Sequence, residues 1–172
     1  GPFTMRYLPL AHSIAEGNAL LIDTPYGRVF HTGDWKLDDE PLIGVPTTAE
    51  ELTAIGDTGV LALVCDSTNA MVEGHSGSEG DVRQSLTALV RGIKRGRVAV
   101  TCFASNVARM ETIAIAARDA GRSTAIVGRS LRNIDSAARE CGYFKNLPPF
   151  LGEDDVDDIA DDNLLILVTG SQ

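Results

Sequence analysis

The residues best placed for chemistry begin with Asp34, in His31-Thr32-Gly33-Asp34-Trp35-Lys36. An apolar strand (Val29, Phe30) runs there into a carboxylate, and Gly33 removes the Cβ that would hold a ligand or metal ion away from it. A turn aspartate is the plain alternative, because Gly-Asp after a strand is ordinary turn chemistry. Asp66 directly follows the apolar run Val60 to Cys65. It could orient a histidine or a metal-bound water, or simply accept hydrogen bonds from its own Ser67-Thr68-Asn69 turn. His12 lies in the polar connection His12-Ser13-Ile14-Ala15-Glu16-Gly17 and is one of three histidines. Alone it reads as an inert loop imidazole; beside a carboxylate it gains a use. His75, in Glu73-Gly74-His75-Ser76-Gly77, reads as a mobile surface residue.

A second set consists of loops. The tetrad Asp66-Ser67-Thr68-Asn69, the triads Ala104-Ser105-Asn106 and Gly128-Arg129-Ser130, and Thr169-Gly170-Ser171-Gln172 each follow an apolar strand. If those four strands form one parallel sheet, all four loops share its carboxyl edge, where open α/β sheets bind ligands. Ser105 and Ser130 immediately precede helical stripes, so each could cap its helix or leave backbone N–H groups free for an anion. Arg129 could pair with a phosphate or with a surface carboxylate. No GxxxxGK[ST] pattern is present, which excludes a P-loop.

The elements that must position these groups change character along the chain. Residues 5 to 31 read as β structure, with strands over 5–10, 18–23 and 28–31 and a tight turn at Thr24-Pro25-Tyr26-Gly27. From Thr47 helices and strands alternate. Thr48 and Glu51 form a capping box, and Gly56 can end that helix. Four continuous apolar runs (60–65, 97–103, 123–127, 163–168) predict strands covered on both faces. Three helical stripes lie between them: Val82, Leu86, Leu89, Val90, Ile93; then Val107, Met110, Ile113, Ala114, Ala117; then Leu131, Ile134, Ala138, Cys141. Gly121 and Gly142 are placed as helix stops. The predicted fold class is α/β, a Rossmann-like parallel sheet with flanking helices preceded by a β-rich segment.

Composition narrows the function. The net charge is -9 and the pI near 4.7, against a free-standing sequence-independent nucleic-acid binder, whose affinity comes from cationic contacts to phosphate. The acidic run Glu153 to Asp162 reads as a solvated helix face carrying Val156, Ile159 and Ala160; it lacks the loop spacing of a calcium site. Cys65, Cys102 and Cys141 have no metal-ligand spacing and suit buried reduced thiols in a cytoplasm. No membrane segment or signal peptide is read.

Taken in order, His12-Ser13-Ile14, His31-Thr32-Gly33-Asp34, Asp66-Ser67-Thr68-Asn69-Ala70, Phe103-Ala104-Ser105-Asn106-Val107, Gly128-Arg129-Ser130 and Thr169-Gly170-Ser171-Gln172 resemble the ribonuclease J family, in the β-CASP branch of the metallo-β-lactamase superfamily. The likeness covers essentially the whole chain. It implies a metallo-β-lactamase domain interrupted by a β-CASP domain, with two zinc ions at the junction that cut RNA phosphodiesters as an endonuclease or from the 5′ end. On this resemblance His12 and Asp34 are metal ligands, with Asp34 bridging. Asp34 and Asp66 are then the catalytic carboxylates, and Ser105, Asn106, Ser130 and Ser171 hold substrate phosphate. One carboxylate can bind two metals and a neutral imidazole suits zinc, so the residue types agree.

The HxHxDH motif of that family does not precede His12, and no later histidine motif follows. The chain is therefore expected to be an internal piece of a longer enzyme, inactive alone: residues 1–66 the C-terminal part of the first metallo-β-lactamase segment, 67–172 most of the β-CASP domain. His31 faces away from Asp34 by strand period and is read as structural. RNA is the implied partner and a cytoplasmic location the implied setting, with homo-oligomerisation of the parent left open. A β-CASP relative acting on DNA and a non-catalytic phosphate- or nucleotide-binding module remain the alternatives.

Overall fold

A computed structural model describes residues 1–38, 40–45 and 47–170. The chain divides into two compact units, 1–78 and 79–172.

The first unit holds β1 (Thr4–Pro9), β2 (Asn18–Thr24), β3 (Gly27–His31), α1 (Ala49–Asp57) and β4 (Ala62–Val64). They form a four-stranded sheet in the order β1-β2-β3-β4. The first two pairings are antiparallel and β3–β4 is parallel. Thr24 pairs with Gly27 and leaves Pro25-Tyr26 as the hairpin loop. The Thr24 hydroxyl donates to the Gly27 carbonyl and accepts the Tyr26 N–H, which closes the expected turn. The Thr48–Glu51 capping box is also present at the start of α1. Leu10, Ala19, Leu21 and Ile55 are buried and make this unit's small core. The opposite face of the sheet carries Met5 and Tyr7 level with Ile22 and Leu20, and Val64 level with His31. Met5, Tyr7 and Val64 on that face are exposed.

One expectation fails here. The run 60–65 does not join the later parallel sheet and is not covered on both faces. It pairs with β3 as an edge strand, and Leu61, Leu63 and Val64 are exposed. An apolar run reports that a strand is apolar; which sheet receives it depends on partners distant in sequence. Here Leu61 N–H donates to Arg28 O at 2.7 Å and Thr32 N–H to Val64 O at 2.9 Å.

The second unit holds α2 (Glu79–Gly92), β5 (Val98–Thr101), α3 (Val107–Asp119), β6 (Ser123–Val127), α4 (Arg129–Glu140) and β7 (Leu164–Val168). Its sheet is parallel, in the order β5-β7-β6, and helices flank it, the expected α/β arrangement. The α3 stripe is buried throughout, with Met110 and Ile113 wholly inaccessible beside Leu164, Leu165 and Leu167 of β7. The α2 stripe is thinner than expected, since Leu89 is exposed and Val90 alone of its apolar residues is buried.

At the amino edge of this sheet the buried Arg122 guanidinium donates to the carbonyls of Ile93, Gly96 and Leu164 at 2.9, 2.8 and 3.1 Å. The acidic run is not a single α-helix; it forms two 3-10 helices, Glu153–Asp158 and Asp161–Asn163. Its carboxylates bond elsewhere, Asp155 to Gly152 N–H, Asp161 to Arg97 and Asp162 to Gly96 N–H, which competes with helical continuation. Nor are the cysteines uniformly buried. Cys65 and Cys141 are exposed, only Cys102 is partly buried, and all three are free. Burial holds the Cys102 thiol up at about 11, so it stays protonated.

Candidate functional site

The parallel pairing of β3 with β4 puts His31 level with Val64. Asp34 follows three residues past the first and Asp66 two past the second, so both carboxylates leave the sheet at one edge. Gly33 makes the turn with φ +62, and a Cβ there would also meet Asn18 O at 3.5 Å. The buried Thr32 ties the two strand ends together. Its hydroxyl accepts the Asp66 N–H at 3.1 Å and donates to Gly33 O at 2.7 Å. Trp35 adds a second tie from its indole Nε1 to Asp66 O at 3.3 Å. His31 turns back, its Nδ1 accepting the Gly33 N–H at 3.0 Å.

The His12 loop is brought to the same edge by a bridge between Ala11 and Lys36, whose N–H donates to Ala11 O at 2.8 Å. An antiparallel bridge there puts His12 beside Trp35. The His12 Nδ1 contacts Ser13 Oγ at 3.1 Å. Thr68 hydroxyl and N–H both donate to Asp66 Oδ1, at 2.5 and 3.0 Å, and hold that carboxyl below its ordinary value of 3.8; the charge of His12 lowers it further. An open pocket of about 800 Å³ lies against His12, Trp35, Lys36, Asp66, Thr68 and His75. Asp34 is exposed and does not line it.

The structure therefore brings the His12 loop, the Asp34 turn and Asp66 together within the first unit, and adds Thr32, Trp35, Thr68 and His75. Sequence reasoning missed Thr32 and Trp35 because their roles are hydrogen bonds between loops more than thirty residues apart; it did anticipate the local bonds of the Thr68 turn to Asp66, and His75 is exposed, as read. Histidine and carboxylate are fit donor types for zinc. Among the described residues no group of three or more His, Cys, Asp or Glu side chains is close enough to hold a metal ion. The donors suit such a cation in kind and fall short in number.

The other candidates lie at the carboxyl edge of the second sheet. Asn106, rather than Ser105, caps α3: its Oδ1 accepts the Arg109 N–H at 2.9 Å. Ser130 lies inside the first turn of α4, whose N-cap is Gly128 with no side-chain cap. The Gly128 N–H is engaged by Glu153 Oε1 at 2.9 Å, which also accepts from Arg132 at 2.6 Å. Ser105 is partly buried and Ser130 exposed. Ser171 lies outside the described residues. The Asp66 loop belongs to the first unit's sheet, so the expected single edge of four loops is two edges.

Residues 95–172 match the family model described as "Ribonuclease J, beta-CASP domain". Over that stretch the chain is similar to the ribonuclease J β-CASP domain. The whole chain is 45% identical to "Ribonuclease J" of Sinorhizobium meliloti, covering 100% of this chain and 30% of that protein. It is 42% identical to "Ribonuclease J" of Mycolicibacterium smegmatis, covering 100% of the chain and 31% of the relative. For "Ribonuclease J" of Thermus thermophilus the figures are 38%, 99% and 30%. The chain thus spans about 30% of the length of these ribonuclease J relatives. A structure titled as a protein of unknown function from Enterococcus faecalis V583 shares the fold at TM-score 0.64 and 18% identity, over 100% of this chain and 42% of that one. The β-CASP match contains Ser105, Asn106 and Ser130, whereas His12, Asp34 and Asp66 precede it and fall in the stretch that the longer relatives also cover.

Proposed function

We propose that this chain is part of a longer zinc-dependent ribonuclease that hydrolyses RNA phosphodiester bonds with activated water, and that it is inactive alone. The observation that carries the reading is the meeting of the His12 loop with two strand-end aspartates, Asp34 and Asp66, at one sheet edge. His12 and Asp34 would hold zinc, and the remaining ligands would come from outside this chain. What the cation would supply is a more acidic water and positive charge against the phosphate. The chain's own part is positional. Thr32 and Trp35 fix the Asp66 loop, Thr68 holds the Asp66 carboxylate in place through two hydrogen bonds, and Ser105, Asn106, Ser130 and Ser171 would receive the RNA backbone.

In this reading residues 1–66 are the C-terminal part of the first metallo-β-lactamase segment, residues 67–172 are most of the β-CASP domain, and the parent works in the cytoplasm. No described helix is long and apolar enough to cross a membrane. The test uses the full-length parent: two zinc ions per site, RNA cleaved in preference to DNA, and cleavage lost on Asp34→Ala. A metal-free parent that still cuts RNA overturns the proposal.

A further inference from the structure

We infer that Phe103 and Arg129 form a nucleotide subsite at the carboxyl edge of the β5-β7-β6 sheet, the ring stacking on a base of single-stranded RNA and the guanidinium holding a neighbouring phosphate. The inference rests on RNA being the substrate. Thr101 at the end of β5 and Val127 at the end of β6 are both level with Val168 of β7. Phe103 and Arg129 each follow two residues later, in the loop after β5 and at the start of α4, and the strands they follow flank β7 and so lie roughly 10 Å apart. Thr169 lies in the gap: a Cβ built on Gly128 would meet its Oγ1 at 4.0 Å.

Both side chains are unspent. Phe103 is 64% exposed, although the strand that delivers it is part of the core sheet. The turn presenting it is fixed, because Phe103 O accepts the Asn106 N–H at 3.0 Å and Asn106, itself buried, caps α3. A ring held out to solvent by a rigid turn loses little freedom when a flat partner arrives. Most arginines of this unit are committed to carboxylates or carbonyls. Arg129 makes no hydrogen bond or ion pair among the described residues, although the adjacent Arg132 is paired with Glu153. With a net charge of -9 the chain has little general attraction for a polyanion. Capture at this edge therefore depends on a local cation together with base stacking, which tolerates any sequence.

The test is binding of a labelled single-stranded RNA to the full-length parent, by fluorescence anisotropy, with an abasic nucleotide moved along the strand. Phe103→Ala is expected to weaken the intact RNA roughly tenfold. It should also abolish the penalty that one abasic position imposes on the unaltered protein, whereas Phe103→Trp retains both. Arg129→Ala is expected to weaken intact and abasic RNA alike and to flatten the salt dependence by about one unit of slope. Phe103→Leu serves if the alanine variant fails to fold. A parent that binds and cuts RNA while these variants bind as the unaltered protein does overturns the subsite alone. A parent that neither binds nor cuts RNA overturns the proposed function beneath it.

Discussion

The indole Nε1 of Trp35 donates to the backbone oxygen of Asp66 at 3.3 Å, joining the two loops that leave β3 and β4. Trp35→Phe keeps an aromatic side chain but removes the donor together with the indole's second ring. Stability is expected to fall by about 1 kcal/mol, and amide hydrogen exchange across residues 66–69 to quicken. Unchanged exchange there would show that the loop is held without Trp35.

Thr32→Val preserves shape and deletes the acceptor for the Asp66 N–H. A partly buried donor left without a partner costs roughly 1 to 3 kcal/mol, read in urea denaturation. Thr32→Ser keeps the hydroxyl and is expected to stay near the original stability.

Asp66 links the site to pH. Its carboxyl is depressed below 3.8 by the Thr68 hydroxyl, the Thr68 N–H and the His12 charge. The stability gained from a depressed carboxyl is fully present above 3.8 and is lost as pH falls through the lower folded-state value. Thr68→Val is expected to move the Asp66 titration, followed by carboxyl-carbon NMR, upward toward 3.8. No movement would remove the hydroxyl as the cause.

In the second unit Glu79 accepts both Arg109 Nε and Nη2, at 3.1 and 3.0 Å, joining the start of α2 to α3. Glu79→Gln leaves the guanidinium without its charge partner and is expected to cost about 2 kcal/mol. Met110→Ala, at a wholly buried position, is expected to cost more, roughly 2 to 5 kcal/mol. Thermal melts of the two variants test the ranking.

Much of the framework was legible because short-range rules govern it. The Thr24-to-Gly27 hairpin, the Thr48–Glu51 box and the α3 stripe each depend on residues a few positions apart, and each is present. What failed depends on distant partners. Nothing between Val60 and Cys65 says that β3, and not β7, receives that strand. The acidic run reads as helical until Gly96, Gly128 and Arg97 are seen to take its carboxylates. For the site, residue types singled out His12, Asp34 and Asp66, but the ties through Thr32 and Trp35 are visible only in three dimensions. Of the proposed phosphate holders, Asn106 shows most clearly how a cap and a ligand contact share one sequence signature.

Arg122 gathers carbonyls from the end of α2 and the start of β7 at the amino edge, while the opposite rim of that sheet is left to loops with exposed ends. This makes tolerance to change lopsided. In a saturation library, most replacements of Arg122 would erase the fold outright, since no other side chain carries so many donors in one plane. Replacements of Phe103, Arg129 or Ser130 would leave a folded molecule with altered binding, so evolution could retune one rim while the other stays pinned.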